Sequence, residues 1–229
     1  MKQRIEKILA QNTQYSRSQI KNLIKQKHIK VNNIIIHKSV NVDFNDEIKI
    51  NDIKIHLKEY FYLALNKPQG YLCAKKDNKH PLVLDLIAAE YKNDKNIHIT
   101  GRLDLDTEGL LIITNDGAFT HRVLSPKKHV NKTYLIKVDQ TLDQKLITEF
   151  TKGVDIGENK LTKPATLHIR DKNTCELTIT EGMFHQIKRM FAVFGYQVIY
   201  LKRICFGKFI LPTSLKIGEY IEINKEMII

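Results

Sequence analysis

The sequence lacks the features that mark disulfide-bonded, zinc-binding and membrane-spanning proteins. It has only three cysteines in 229 residues, Cys73, Cys175 and Cys205. None forms a CxxC pair close to histidines, so we expect buried free thiols and no metal site. No apolar run approaches the roughly 18 residues of a membrane span, and the N-terminus has no apolar block typical of a signal peptide. We therefore expect a cytoplasmic protein with no membrane partner.

Acidic residues are too few to balance the basic ones. The chain has 37 lysines and arginines against 25 aspartates and glutamates, a net charge of +12. Residues 1–42 contain nine of the basic residues and a single acid, Glu6, so eight of the twelve net charges lie in this first block. Because neutralising phosphates releases counterions, this uneven charge predicts a nucleic-acid partner.

The basic block has the pattern of two short helices followed by a hairpin. Ile5, Ile8 and Leu9 have helical spacing, and a second amphipathic stretch begins at Ser16. Two short β-rich runs then flank an asparagine pair at 32–33, which suits a tight turn. The sequence thus predicts a small helical unit closed by a hairpin.

A basic stripe follows one face of the second predicted helix. Arg17, Lys21 and Lys25 recur every four residues and therefore share a face. Such a stripe suits a phosphate backbone, so we predict that these three residues bind RNA. The alternative is an ordinary solvated helix face, since helix surfaces are commonly charged.

The helix–helix–hairpin pattern resembles the S-four-like RNA-binding domain over about residues 1–50. Lys27 and Asn33 stand where that family often has glycine, so the tight turns there must be made differently. The polar stretch 51–59 is the expected linker. We predict an RNA-binding domain with its linker at 1–58 and a second domain at 59–229.

The second domain alternates short β-rich runs with few helices, which predicts an α+β fold around a mixed, mostly antiparallel sheet. The predicted strands lie at 61–65, 110–114, 133–138, 165–169 and 176–179. The clearest helix runs from about Met183 to Phe194. Its periodicity predicts two faces: Phe184, Ile187, Phe191 and Phe194 buried, and His185, Lys188 and Arg189 on the other side.

The segment Gly101–Leu110 places three carboxylates and two glycines directly before an apolar strand. Loops held by a rigid strand commonly carry catalytic groups. Asp104 lies between Leu103 and Leu105, where apolar packing would limit access of water. The alternative is that the carboxylates only cap or solvate a turn, a routine role for aspartate.

Four segments in order resemble the RsuA-type pseudouridine synthases, an RNA-modifying family. Gly101–Leu110 is similar to the family motif GRLDxDTxGL, and the other three segments are Asn66–Tyr71, Lys132–Tyr134 and Glu181–Met190. The resemblance extends over nearly the whole chain, including the N-terminal RNA-binding domain. It implies an isomerase that acts on a uridine of ribosomal RNA.

The resemblance also assigns roles to residues. Asp104 matches the catalytic aspartate, whose carboxylate either attacks the ribose or base or removes a ribose proton. The bond from the ring nitrogen to the sugar then breaks, and the uracil turns and rejoins the sugar through carbon 5. Lys188 matches the basic residue that pairs with that aspartate. A nearby cation would favour the charged carboxylate. Tyr134 matches a tyrosine that stacks on the flipped base and assists proton transfer. No cofactor or metal is implied.

The same resemblance places two residues against the RNA. Arg102 matches the residue that fills the space left by the extruded base, and Leu201, which we expect after the last strand, matches an apolar position against the uracil. Lys67 and Pro68 we interpret as structural, with Gly70 permitting the turn that the proline fixes.

The substrate follows from resemblance alone. Residues 66–73 and 161–165 look closest to the branch that modifies small-subunit RNA, which suggests uridine 516 of 16S ribosomal RNA, free or in an assembling subunit, as the target of a monomeric enzyme. The alternatives are a large-subunit 23S synthase of the same family and a non-catalytic ribosome-assembly factor. Intact Asp104, Tyr134 and Lys188 argue against the second.

Overall fold

The computed structural model describes residues 2–125 and 130–229. The chain divides into two compact units, one ending at Tyr60 and the other beginning at Phe61. The boundary predicted from sequence, between residues 58 and 59, lies two residues earlier. Each unit has a hydrophobic core of its own.

The first unit is a pair of helices followed by a small antiparallel sheet. Its elements are β1 (Gln3–Arg4), α1 (Ile5–Asn12), α2 (Arg17–Lys25), β2 (Ile29–Val31), β3 (Ile34–Ile35), β4 (Asn41–Val42), β5 (Ile48–Ile50) and β6 (Ile53–Ile55). The sheet order is β3-β2-β5-β6, and β1 pairs with β4.

Local sequence signals determine where α2 begins and which face it buries. The Ser16 hydroxyl accepts a hydrogen bond from the Gln19 backbone N–H, and the Gln19 side chain accepts one from the Ser16 backbone N–H. This reciprocal capping satisfies N–H groups that the first helical turn leaves unpaired. Ile20 and Ile24 then point into the core of the unit.

Several turns of this unit are made by residues other than glycine in the left-handed conformation. Lys27 and Asn33 both adopt the left-handed conformation, with φ of 65° and 66°, at the positions where the related family often has glycine. The expected linker at 51–59 starts too early, because Asn51 and Asp52, also left-handed, form the turn of the β5–β6 hairpin. Asparagine and aspartate tolerate this conformation better than most residues.

The second unit contains the larger sheet and the remaining helices. Its elements are β7 (Tyr62–Lys67), α3 (Ala89–Lys92), β8 (His98–Thr100), β9 (Glu108–Thr114), α4 (Gly117–Leu124), β10 (Lys132–Val138), α5 (Lys145–Lys152), β11 (Thr166–Ile169), β12 (Thr174–Ile179), α6 (Gln186–Val193), β13 (Val198–Phe206), β14 (Phe209–Ile210) and β15 (Tyr220–Glu222), with short 3₁₀ turns at Val83–Leu86 and Lys225–Met227.

The described residues of this unit build one nine-stranded sheet. Seven strands follow the order β11-β12-β10-β13-β9-β7-β15, while β14 pairs with β13 and β8 with β9. The β9–β13 pair is parallel and the other pairs are antiparallel. This confirms the predicted α+β class with a mixed, mostly antiparallel sheet.

Both faces of the sheet are buried at strands β7 and β9. Along β7, Leu63 and Leu65 belong to one hydrophobic core and Tyr62 and Ala64 to another, as the alternation of side chains along a strand requires. Helices α5 and α6 cover the first face, where Phe150 meets Phe191 edge-on. Helix α4 covers the second through Phe119 and Val123.

The last predicted helix is shorter than its periodicity indicated. Helix α6 begins at Gln186, and Ile187 and Phe191 are buried as predicted. The prediction for Phe184 was wrong: it precedes the helix and is 73% exposed. Gly195, with φ of +81°, follows directly after the capping residue.

Two further predictions concern the cysteines and membrane-spanning helices. Cys73 and Cys175 are buried free thiols as predicted, whereas Cys205 is only partly buried. Within the part of the chain that is described, no helix is both long and apolar enough to cross a membrane.

Candidate active site and basic helix face

The loop that carries Asp104 connects β8 to β9 and is shaped by a buried lysine. Lys67, at the end of β7, is fully buried, and its ammonium group donates to the backbone carbonyls of Asp104 (3.1 Å), Leu105 (3.3 Å) and Thr107 (2.8 Å), and of Pro68 (3.0 Å). One side chain therefore satisfies several inward-facing carbonyls at once. The sequence interpretation of Lys67 as structural agrees with this geometry.

The second clamp on the loop comes from β13. Arg203, also fully buried, donates to the carbonyl of Gly101 (2.8 Å), the first residue of the loop, and to that of Leu110 (2.7 Å) in the strand that follows it. Gly109 has φ of +99°, and a Cβ there would lie 2.2 Å from the Arg203 carbonyl oxygen. Only glycine permits this close approach of β9 to β13.

Burial also affects the charge of Lys67. Removing the ammonium group from water lowers the pKa of Lys67, and the negative charges of Asp106 and Asp104 act in the opposite direction. The carboxylates of the loop thus help to keep the buried cation protonated.

The Asp104 carboxylate lies between a lysine and a histidine and remains partly exposed to solvent. Its side chain is 31% exposed. The Lys188 ammonium lies 3.7 Å from Oδ2, and the His185 Nε2 lies 3.8 Å from Oδ1. The predicted proximity of Lys188 to Asp104 is confirmed, although 84 positions separate the two in sequence.

The shortest contacts of Lys188, however, go to a different carboxylate. Its ammonium donates to both oxygens of Asp106, at 2.6 and 2.7 Å. Burial would raise the pKa of Asp106, but the hydrogen bonds and positive charge of Lys188 outweigh it, so the pKa of Asp106 is lowered. Lys188 therefore bridges two carboxylates of one loop, and Asp106 holds it beside Asp104.

The turn before α6 is fixed by buried side chains of the same motif. The Gln186 carboxamide accepts from the Met183 backbone N–H (3.0 Å) and donates to Glu181 (2.8 Å). Both Glu181 and Gln186 are buried. Because His185 and Lys188 follow directly from this turn, the buried network sets their position beside Asp104.

The remaining predicted residues of this site lie in different environments. Tyr134, on β10, and Leu201, on β13, are buried in the same hydrophobic core as Leu103, the residue before Asp104. Leu201 lies inside β13 and pairs with Ile136, so its expected place after the last strand was wrong. Arg102 is exposed.

The basic stripe lies on the exposed face of α2. Arg17, Lys21 and Lys25 are all exposed, opposite the buried Ile20 and Ile24. Arg17 and Lys21 also line an open cleft of the first unit, about 410 Å³ in volume, whose other lining residues are Arg4, Glu6, Lys7 and Ser39. The structure thus adds Arg4 and Lys7, from β1 and α1, to the predicted basic surface.

Sequence reasoning missed three contributions to the site. These are the grip of Lys67 on the Asp104 loop, the short Asp106–Lys188 pair and the exposed His185–Phe184 pair. The order of the motifs signalled that all these residues matter together. It gave no signal for which carbonyl or carboxylate Lys67 and Lys188 reach, because their partners in the Asp104 loop lie between 37 and 82 positions away.

Family models match both units. The model described as RNA pseudouridylate synthase matches residues 61–193, and the model described as S4 domain matches residues 3–48. The first covers strands β7 to β12, the Asp104 loop and helix α6.

Individual relatives extend the match to nearly the whole chain. The ribosomal small subunit pseudouridine synthase A of Haemophilus influenzae is 39% identical over 95% of this chain and 94% of its own length. A Bacillus subtilis protein named uncharacterized RNA pseudouridine synthase YtzG is 36% identical over 97% and 95%. A crystal structure of a pseudouridylate synthase superposes with a TM-score of 0.70 at 37% identity, covering 98% of this chain and 97% of that one.

Proposed function

The chain belongs to the RNA pseudouridylate synthase family, and from this we propose that it isomerises a uridine of small-subunit ribosomal RNA with Asp104 as its catalytic residue. The observation that carries the proposal is the placement of Asp104. Its carboxylate oxygens lie 3.7 Å from the Lys188 ammonium and 3.8 Å from the His185 Nε2, while its side chain stays partly open to solvent.

A uridine stacked in a helix cannot reach this carboxylate. The target must therefore be extruded, at a cost of a few kcal/mol. In this proposal Arg102, which is exposed and next but one to Asp104, enters the space that the base leaves. The uracil then meets an apolar floor to which Leu103, Tyr134 and Leu201 contribute.

The reaction exchanges one bond of the nucleotide for another. The Asp104 carboxylate either attacks the ribose or base or removes a ribose proton, and the bond from N1 to the sugar breaks. The uracil turns, carbon 5 bonds to the sugar, and the proton lost from carbon 5 is replaced by one gained at N1. Substrate and product are isomers, so the step consumes no oxidant, reductant or second substrate.

The neighbouring side chains supply positioning and charge. Lys188, anchored by Asp106, favours the ionised form of Asp104 in a partly desolvated pocket. Tyr134, on the rigid sheet, provides a ring for stacking on the base and a hydroxyl for proton transfer at carbon 5. The exposed Arg17, Lys21 and Lys25 bind RNA phosphates.

The substrate assignment rests on relatives and on resemblance. Several relatives are named ribosomal small subunit pseudouridine synthase A. We propose 16S ribosomal RNA, free or in an assembling subunit, as the substrate of a cytoplasmic, monomeric enzyme, with uridine 516 as the position. Mapping pseudouridines in ribosomal RNA from cells with and without the gene tests the position directly. A missing pseudouridine in 23S RNA alone would contradict it.

Release of tritium from RNA labelled at carbon 5 tests the chemistry. We expect Asp104→Asn to abolish turnover and to leave RNA affinity within a few-fold, because it removes the reactive carboxylate and no positive charge. Asp85→Asn, a surface carboxylate paired with Lys92 in the same unit, is the matched control and should keep full activity. More than a few per cent of wild-type turnover in Asp104→Asn would overturn the assignment.

A further inference from the structure

We propose that Phe184 and His185 form an aromatic platform that stacks an unpaired base of the substrate RNA next to the target uridine. The proposal rests on the function proposed above and deepens it, because it names a feature of the substrate that the site recognises. The ring of Phe184 is an apolar surface left largely in water, at 73% exposure.

The two rings form one rigid surface. Their centroids lie 3.8 Å apart with an angle of 19° between the planes, so they are stacked. One face of Phe184 is thus occupied by the imidazole, and the exposure of the residue leaves the other side open. Aromatic rings offered in this way bind nucleobases of any sequence, because every base has a flat π-face.

The backbone under the platform is held from two sides. The Arg189 guanidinium donates to the Phe184 carbonyl (3.2 Å) and pairs with Glu158 (2.7 Å), and it also donates to the Ile156 carbonyl. On the other side, the buried Gln186 carboxamide holds the Met183 backbone N–H. A ring carried on a fixed backbone loses little conformational freedom when a base stacks on it.

His185 caps the start of α6 through its backbone carbonyl, which accepts from the Arg189 N–H, but its backbone conformation is unusual for that position. Its φ of 49° is left-handed, and its side chain makes no capping hydrogen bond. The imidazole instead contacts Phe184 on one side and lies 3.8 Å from Asp104 Oδ1 on the other. Residues kept in such sparsely populated conformations concentrate at functional sites.

The position of the platform indicates which base of the RNA can stack on it. His185 stacks on Phe184 and lies 3.8 Å from Asp104, the residue that acts on the target uridine. A base stacked on Phe184 is therefore close to the target along the same RNA strand. The cations Lys188 and Arg102 border Asp104 and suit the phosphates of that strand. A folded duplex would present no free base face here, so the occupant is an unpaired neighbour of the target.

The test combines a protein variant with a change in the RNA. We expect Phe184→Ala to weaken substrate binding, seen as KM or as Kd for Asp104→Asn protein, about 10-fold (about 1.4 kcal/mol), with kcat changed much less. Phe184→Tyr keeps a ring and should restore wild-type binding. Val193→Ala, at another exposed apolar residue in the last turn of α6, is the control and should have no effect.

RNA that lacks one base beside the target identifies the partner of the ring. If an abasic nucleotide on one side of the target weakens wild-type binding as much as Phe184→Ala does, and the variant loses nothing further on that RNA, the ring and that base interact. An equal loss from Phe184→Ala on intact and on both abasic RNAs, or no loss at all, would overturn the platform. Wild-type protein that releases no tritium would instead overturn the proposed function.

Discussion

In the unit that ends at Tyr60 the cations of helix α2 stand in solvent, whereas in the unit that begins at Phe61 three cationic side chains, Lys67, Lys132 and Arg203, are buried. Exposed cations keep their water and remain available to an outside polyanion. Buried cations have lost that water and need partners inside the fold. Lys67 and Arg203 find them in backbone carbonyls of the Asp104 loop and its flanks.

Cationic side chains therefore have two separate roles in this chain. On α2 the side chains attract RNA, and their removal should weaken binding without harming the fold. Under the Asp104 loop the side chains shape backbone, and their removal should harm stability and catalysis without affecting the binding surface. Four variants test this division, beginning with the one that we expect to have the largest effect.

Lys67→Met should have the largest effect on stability. It removes the ammonium that donates to three loop carbonyls. Those of Asp104 and Leu105 keep a backbone N–H donor, whereas that of Thr107 loses its 2.8 Å hydrogen bond, so we expect the free energy of unfolding to fall by about 3 kcal/mol and turnover to be lost. Urea unfolding and tritium release measure the two. Lys92→Met, at an exposed lysine, is the control and should change neither. A loss below about 1 kcal/mol would show that the clamp is dispensable.

Lys188→Met should act mainly on catalysis, because Lys188 is a quarter exposed and bridges two loop carboxylates. Without it Asp104 and Asp106 repel each other. We expect kcat/KM to fall about 100-fold, roughly 3 kcal/mol. Lys188→Arg should lose less, and Asp106→Asn should lie between them because it frees the lysine from its anchor. Activity of Lys188→Met above a tenth of wild type would contradict the role.

Lys132 should make stability depend on pH. Burial, with the charge of Arg203 as a lesser cause, lowers the pKa of Lys132 from 10.5 to about 8. Between those values the folded state releases the proton that the unfolded chain still holds, so the contribution of Lys132 to the free energy of unfolding rises with pH. Below pH 8 both states are protonated, and the cost of burial is constant.

The measurement is the difference between Lys132→Met and wild type. We expect the free energy of unfolding of the variant, relative to wild type, to drop by roughly 2 kcal/mol between pH 7 and pH 10. Lys137→Met, at an exposed lysine on the same strand, should show no such trend. A pH-independent difference for Lys132→Met would mean that the buried ammonium titrates normally.

The triple alanine variant of the basic stripe, at Arg17, Lys21 and Lys25, should have the smallest effect. We expect its free energy of unfolding to equal that of wild type. We expect weaker binding to every RNA tested and a salt dependence of binding lowered by about two to three units, with kcat at saturating RNA unchanged. Lys54→Ala removes an exposed charge of the same unit that is paired with Glu47 and serves as the control. If the salt dependence of RNA binding did not change, the three residues would form only a solvated helix face.

Features that depend on nearby residues were predictable from the sequence. The hydrophobic period gave α1 and α2, Ser16 marked the start of α2, and alternating apolar runs gave the main strands of the sheet. The periodicity, the cap and the alternation each lie within a few residues of the element that they determine. The family and the prediction that Asp104, Lys188 and Tyr134 share one site came instead from the resemblance of four ordered motifs.

Side-chain partners were decided by the tertiary structure alone. Nothing near Lys67 indicates that its ammonium reaches carbonyls about 40 positions away, and nothing near Lys188 favours Asp106 over Asp104. Periodicity even misplaced Phe184, because the turn held by Gln186 delays the start of α6 and turns that ring outward. The physical reason is that a charge or ring finds its partner only once the sheet has brought distant strands together, and desolvation then selects among the groups within reach.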